Sequence, residues 1–151
     1  MWEFLKERKV LKQEKNFFEM LKLSLNRDLS LKEQSIFLKA VNHGINYLEE
    51  EFKTVRMDST NTSKDYITIN NGLTLISDLK EGFIITEENF IKENIFQLSA
   101  HYQSVKEYEL DFLNFRSDSC DKNFHKTIDT FMESKSYKDG YQKQKTLTKN
   151  S

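Results

Sequence analysis

The clearest apolar pattern lies in the second quarter of the chain, where large apolar residues recur at spacings of three and four. This is the rhythm of a helix that packs one stripe of side chains against its neighbours. The apolar positions are Leu31, Leu38, Val41, Ile45, Leu48, Phe52 and Val55. Gln34 occupies the one polar position of the stripe, and Ser30 followed by Glu33 forms a capping box. We therefore predict a helix over residues 31–57, in which Gly44 allows a partner helix to approach closely.

A second repeat, of seven residues, precedes this helix. Its positions are Phe4, Leu11, Phe18 and Leu25, flanked by Val10, Phe17 and Leu21. We interpret the repeat as the packing stripe of a first helix over residues 3–26. Residues 26–28 then form a turn, and a connection this short predicts that the two helices are antiparallel neighbours.

The apolar period changes between residues 66 and 77. Two short β-prone runs there flank an Asn-Gly step at 71–72, which is a strong local signal for a β-hairpin. We predict a small hairpin at about 66–77, with residues 83–85 as a third short strand. The alternative is a helix that starts at Leu73. A two-stranded ribbon is marginal alone, so it should pack against the helices or a partner.

The helical pattern returns after the predicted hairpin. Thr86, followed by two glutamates, has the features of a helix start. The apolar positions that follow are Ile91, Ile95, Leu98, Tyr102, Val105 and Phe112. They predict a third long helix that runs to Arg116 and is interrupted only by Glu109.

A shorter fourth helix is predicted over residues 121–134, where Phe124, Ile128 and Phe131 share one face. Residues 135–151 are polar and basic, and we expect a flexible tail. The predicted fold is therefore mainly α: an antiparallel three- to four-helix bundle with a small β-hairpin inserted between helices 2 and 3. Residues 1–134 would form a single helical domain.

The charge balance limits the possible partners. The net charge is −1, although residues 1–27 sum to +3 and residues 78–121 to −6. A balance this even argues against bulk affinity for nucleic acid or for an anionic membrane. No window holds the 18 or more apolar residues of a membrane span, and the first 15 residues lack the apolar run of a signal peptide.

The expected setting is cytoplasmic, because the single cysteine, Cys120, fits a reducing compartment. Lysines far outnumber arginines and proline is absent, which is typical of an AT-rich genome. We therefore expect a low-GC bacterium, a phage or a plasmid as the source.

Candidate chemistry is sparse. His43, His101 and His125 lie on three different predicted helices, so a metal-dependent helical enzyme is one alternative. The bundle motif Glu-x-x-His and the motif His-Glu-x-x-His are both absent. Asp121, His125 and Asp129 share a helix face and could act as a base or a metal ligand, but a surface ion-pair ladder is the favoured interpretation. We expect no catalytic residue, metal or cofactor.

The leading hypothesis is a non-enzymatic protein–protein interaction module, such as an accessory subunit, an inhibitor or an immunity-type adaptor. Aromatic side chains outside the main stripes are the candidate contacts, because aromatics often anchor interfaces. They are Trp2, Phe37, Tyr47, Phe90, Phe96 and Tyr108. A protein partner is expected, and a homo-oligomer is possible. The alternative is a nucleic-acid-binding regulator using the basic N-terminal helix and tail, although residues 49–51 are three glutamates that would repel phosphates.

Overall fold

The computed structural model describes residues 2–117, and the side chains of residues 6–115. This part of the chain forms four α-helices: α1 (Trp2–Ser24), α2 (Leu31–Arg56), α3 (Ser63–Glu88) and α4 (Lys92–Ser117). Consecutive helices pack against each other, and their short connections make them antiparallel. α2 also touches α4, whereas α1 and α4 have the least contact of the packed pairs. The helical bundle is confirmed.

The start of α2 follows the sequence signal. The Ser30 hydroxyl accepts a hydrogen bond from the Glu33 backbone N–H at 3.2 Å, and the Glu33 carboxylate accepts one from the Ser30 N–H at 2.9 Å. Arg27 donates two further hydrogen bonds of 2.7 Å to Glu33. These bonds, led by that from Arg27, lower the pKa of Glu33 to about 2. The predicted capping box is confirmed.

The predicted β-hairpin at 66–77 is wrong, because these residues lie inside α3 and no strand occurs within residues 2–117. A second capping box starts this helix. The Thr62 hydroxyl accepts from the Asp65 N–H at 3.2 Å, and the Asp65 carboxylate accepts from the Thr62 N–H at 2.9 Å. The helix is nucleated ahead of the β-prone run and continues through it.

The Asn-Gly step has a packing explanation. Gly72 is buried against the Phe52 ring of α2, and a Cβ at this position would lie 2.6 Å from the ring atom Cζ. Ile69, Ile76 and Leu79 are fully buried at helical spacing around it. The glycine therefore marks a close contact between a helix backbone and an aromatic ring, and tertiary burial overrides the local turn preference.

The predicted start of the third long helix at Thr86 is also wrong. Thr86 is buried in the last turn of α3, where its hydroxyl donates to the Gly82 carbonyl at 2.8 Å. Residues 83–85, the predicted third strand, belong to the same helix. The next helix begins only at Lys92. A threonine hydroxyl inside a helix can bond the carbonyl four residues before it. Thr86 therefore belongs to the last turn of α3 and does not cap the start of α4.

The core lies between the four helices and is rich in aromatic side chains. Its largest fully buried members are Tyr102, Tyr108, Phe17, Phe37, Phe52, Phe112, Ile45, Ile69, Ile76, Leu79 and Leu98. The Tyr108 hydroxyl donates to the Thr68 carbonyl at 2.8 Å, which satisfies its polar end. A phenol from α4 therefore ties the core to α3.

None of the four described helices combines the length and the apolar character needed to cross a membrane. The predicted helix at 121–134, the tail at 135–151 and Cys120 lie outside the described residues. The single domain proposed for residues 1–134 therefore stays a prediction.

Candidate protein-binding surfaces

The seven-residue repeat of α1 lies on the surface of the bundle. Leu11, Phe18 and Leu25 are 68%, 48% and 59% exposed, whereas Phe17 and Met20 of the same helix enter the core. The spacing of seven residues places the three exposed side chains on nearly the same side of the bundle, Leu11 and Phe18 on α1 and Leu25 in the turn directly after Ser24. We call them the α1 ridge. Phe4 continues the repeat, but its side chain lies outside the described part of the chain.

Basic residues flank the α1 ridge. Of the six exposed cations of this helix, four lie on the same side as the ridge: Arg8, Lys12, Lys15 and Lys22. Glu19 offsets one of them by an ion pair of 3.9 Å with Lys15. The ridge is therefore an apolar line bordered by positive charge.

A polar and aromatic cluster joins α1 to α4. Lys106 of α4 contacts both carboxylate oxygens of Glu14 at 2.9 and 3.1 Å, and the Tyr102 hydroxyl donates to Glu14 at 2.9 Å. The Lys106 ammonium also lies 4.5 to 5.3 Å from the ring centres of Tyr102, Phe18 and Phe17. Such distances allow cation–π attraction in addition to the ion pair. We call these five residues the Glu14 cluster.

Gly44 of α2 makes room for this cluster. A Cβ at position 44 would overlap the Tyr102 hydroxyl. The predicted close approach at Gly44 is therefore made by the tyrosine side chain. Burial, followed by the nearby Glu14 carboxylate, raises the pKa of Tyr102 above its ordinary value. The phenol stays protonated and acts as a hydrogen-bond donor.

A groove lies between α1 and α2. Its cavity of about 560 Å³ is lined by Lys6, Glu7, Val10, Leu11, Tyr47 and Glu51. We call this feature the α1–α2 groove. Glu109 of α4 lies close enough to act electrostatically on Tyr47.

Two groups near the α1–α2 groove have raised pKa values. Burial, reinforced by the charge of Glu51, raises the pKa of Glu109 to about 8. One oxygen of Glu109 has no hydrogen-bond partner among the described residues. Burial and then a hydrogen bond with Glu51 raise the pKa of Tyr47 to about 12. Glu109 is therefore mostly neutral at pH 7.

The six predicted contact residues are spread over the molecule. Phe37 and Tyr108 are buried in the core, and Phe90 packs edge-on against Phe37 with ring centres 5.8 Å apart. Tyr47 lines the α1–α2 groove. Phe96 is partly exposed on α4, and Trp2 belongs to α1 with its side chain outside the described range. The structure does not bring the six together, and their role in binding stays a prediction.

The surface that sequence reasoning missed is the α1 ridge. Its signal was present as the seven-residue repeat, but that repeat was interpreted as packing against a helix of the same chain. Phe17 and Phe18 are adjacent and chemically identical, so the pattern alone could not decide which of them faces the core. Only the packing of α1 against the other helices shows that Phe17 is buried and Phe18 is exposed.

The histidines do not form a metal site within the described residues. His43 is half-buried on α2, and burial lowers its pKa. His101 is buried on α4. No group of three or more potential metal-binding side chains occurs in this part of the chain. His125, with Asp121 and Asp129, lies outside it.

Comparison of the chain with protein-family models, curated proteins and solved structures finds no match in any of the three. The α1 ridge and the α1–α2 groove are therefore interpreted from their own shape and charge.

Proposed function

We propose that this chain is a non-enzymatic protein–protein interaction module, which binds an amphipathic helix of a partner protein along the α1 ridge. The observation that supports this most is the exposure of Leu11, Phe18 and Leu25 in one line. Single exposed apolar residues are ordinary on protein surfaces, but three large ones repeated on one side of a helix are typical of an interaction site. Helices commonly recognise such lines through their own apolar faces.

Charge specifies the partner further. Arg8, Lys12, Lys15 and Lys22 border the ridge, so the proposed partner helix carries acidic residues beside its apolar face. Two copies of α1 packed on each other would instead bring like charges together. A partner with acidic flanks is therefore favoured over a second copy of this chain.

The proposal includes a setting. The single Cys120 fits the reducing interior of a cell, and the lysine-rich, proline-free composition fits a low-GC bacterium, phage or plasmid. A small helical protein there would act as an accessory subunit, an inhibitor or an immunity-type adaptor.

A peptide titration tests the proposal. The full chain is titrated by calorimetry with a synthetic amphipathic helix that has Leu and Phe on one face and glutamates at the flanks. A second peptide has lysines in place of those glutamates. We expect binding of the acidic peptide only, weakened about tenfold or more by Leu25→Glu. Ile67→Glu on α3 is the matched control, since Ile67 is 50% exposed, and it should leave binding unchanged.

Three outcomes would overturn this function. The first is equal binding of the two peptides, and the second is equal weakening by Leu25→Glu and Ile67→Glu. The third is failure of the acidic peptide to bind while a DNA duplex binds with a steep loss of affinity in added salt. That salt dependence is the mark of phosphate contacts, and it would favour the nucleic-acid-binding alternative.

A further inference from the structure

We propose that two copies of this chain associate through the exposed face of α3, packed antiparallel about a two-fold axis. This face lies on a different helix from the α1 ridge, and α1 and α3 do not pack against each other within the described residues. A dimer through α3 therefore need not cover either ridge. The inference does not depend on the partner binding proposed for α1.

The first argument is a continuous pattern of exposed residues along α3. They recur at alternating spacings of three and four, which is the spacing at which one helix packs along another. All eight positions are exposed, and they are Ser63, Ile67, Asn70, Thr74, Ser77, Glu81, Ile84 and Glu88. We call them the α3 face. Ile69, Ile76 and Leu79 of the same helix enter the core instead, so no helix among the described residues covers this face.

The second argument is the low charge at the middle of the face. α3 has no charged residue from Tyr66 to Ser77, although charged residues make up 31% of the chain. The centres of protein interfaces are similarly depleted in charge. Thr74 and Ser77 are also small, and the distance between two packed helices depends on the side chains at their contact. Two copies can therefore approach closely here without repulsion between like charges.

The third argument is that the order of residues along the face is complementary to itself in the antiparallel direction. A two-fold axis between Thr74 and Ser77 sets each of them opposite the other in the second copy. The same axis sets Ile67 opposite Ile84, because both lie seven residues farther from the centre. These two side chains are 50% and 52% exposed. Dimerisation would therefore bury four isoleucines in two equivalent contacts.

The fourth argument is the distribution of charge, which decides the direction and the occupant. The exposed acids of α3 are Glu81, Glu87 and Glu88, all towards its C-terminal end, and its N-terminal half exposes no acid. An antiparallel pair sets these acids beside the N-terminal half of the other copy, where the helix dipole is positive. Asn70 then lies opposite Glu81 and can donate to its carboxylate. A parallel pair would bring the acids together. We therefore commit to a second, antiparallel copy.

Sedimentation equilibrium of the full chain tests the dimer. We expect reversible dimerisation that Ile84→Glu weakens at least tenfold, because the new carboxylate would lie against Ile67 of the second copy. Leu31→Glu on α2 is the matched control, since Leu31 is 84% exposed, and it should leave association unchanged. Circular dichroism checks that both variants remain helical. A parent chain that stays monomeric at about 1 mM, where even a weak dimer forms, would overturn the inference, as would equal weakening by the two variants.

Disulfide trapping tests the register. In a Cys120→Ser background, chains with Thr74→Cys are mixed with isotope-labelled chains that carry Ser77→Cys. We expect the mixed dimer to form at least about threefold faster than the dimer of either variant with itself, because a disulfide needs Cα atoms within about 7 Å. Mass spectrometry separates the three products. Equal rates for all three, or self-dimers of the Thr74→Cys chain as the main product, would contradict antiparallel packing.

Discussion

Helices α1 and α2 both carry large apolar residues at regular helical spacing, yet they use them differently. α2 contacts α1, α3 and α4, and Val41, Ile45, Leu48 and Phe52 of its stripe are all buried. α1 packs mainly on α2, so its core contacts need only one narrow face. Its seven-residue repeat remains at the surface. The same periodicity therefore has different consequences depending on how many neighbours surround the helix.

The largest expected effect is a difference in the free energy of unfolding between a change in the buried stripe of α2 and a change in the exposed α1 ridge. Phe52→Ala on α2 should lower the free energy of unfolding by about 3–5 kcal/mol, because it opens a cavity in the core. Leu25→Ala on the α1 ridge should change it by no more than about 0.5 kcal/mol, as is usual for exposed positions. Urea unfolding of both variants measures the difference, and similar losses for the two would remove the distinction between buried stripe and exposed ridge.

A smaller effect on stability is expected at Gly44 of α2, which leaves space for Tyr102 of α4. Gly44→Ala should cost about 1–3 kcal/mol, since the new methyl group displaces the Tyr102 hydroxyl. In a Tyr102→Ala background, which removes the ring as well as the hydroxyl, the same change should be neutral or stabilising by up to about 1 kcal/mol, because alanine favours the helix. Thermal unfolding of the four proteins completes the double-mutant cycle. Equal effects in both backgrounds would show that the Tyr102 side chain is not the obstacle.

The smallest effect concerns Glu109 of α4, whose pKa responds to its burial and to the charge of Glu51 on α2. The folded pKa of Glu109, about 8, exceeds its ordinary value of 4.5. Its contribution to stability is therefore present below pH 4.5 and is lost as the pH rises towards 8. Glu109→Gln should match the parent chain at pH 4 and exceed its stability by about 1–2 kcal/mol at pH 8. Denaturant unfolding at both pH values checks this, and a constant difference would contradict the raised pKa.

The helical fold could be predicted where local and tertiary signals agree. The rhythm of α2 and its Ser30–Glu33 capping box specify the same element. At 71–72 the signals disagree, because an Asn-Gly step favours a turn when taken alone. The glycine is explained by the contact of Gly72 with Phe52 on another helix. This contact cannot be inferred from the neighbouring residues of the sequence.

The candidate surfaces were less predictable than the helices. The periodicity of α1 identified the residues of the ridge but not their exposure, because Phe17 and Phe18 satisfy the pattern equally well. The groove depends on the spacing between α1 and α2, and the raised pKa of Glu109 depends on its burial. Sequence spacing defines angles around a helix, whereas distances between helices come from the complete packing.

The Glu14 cluster has a consequence for the order of assembly. Its contacts join residues 88 and 92 positions apart, whereas consecutive helices are connected by loops of only three to six residues. Closing a long loop costs more chain entropy than closing a short one, so helices can pair with their sequence neighbours before α1 meets α4. In kinetic terms, we expect this pair of helices to be the last to associate during folding.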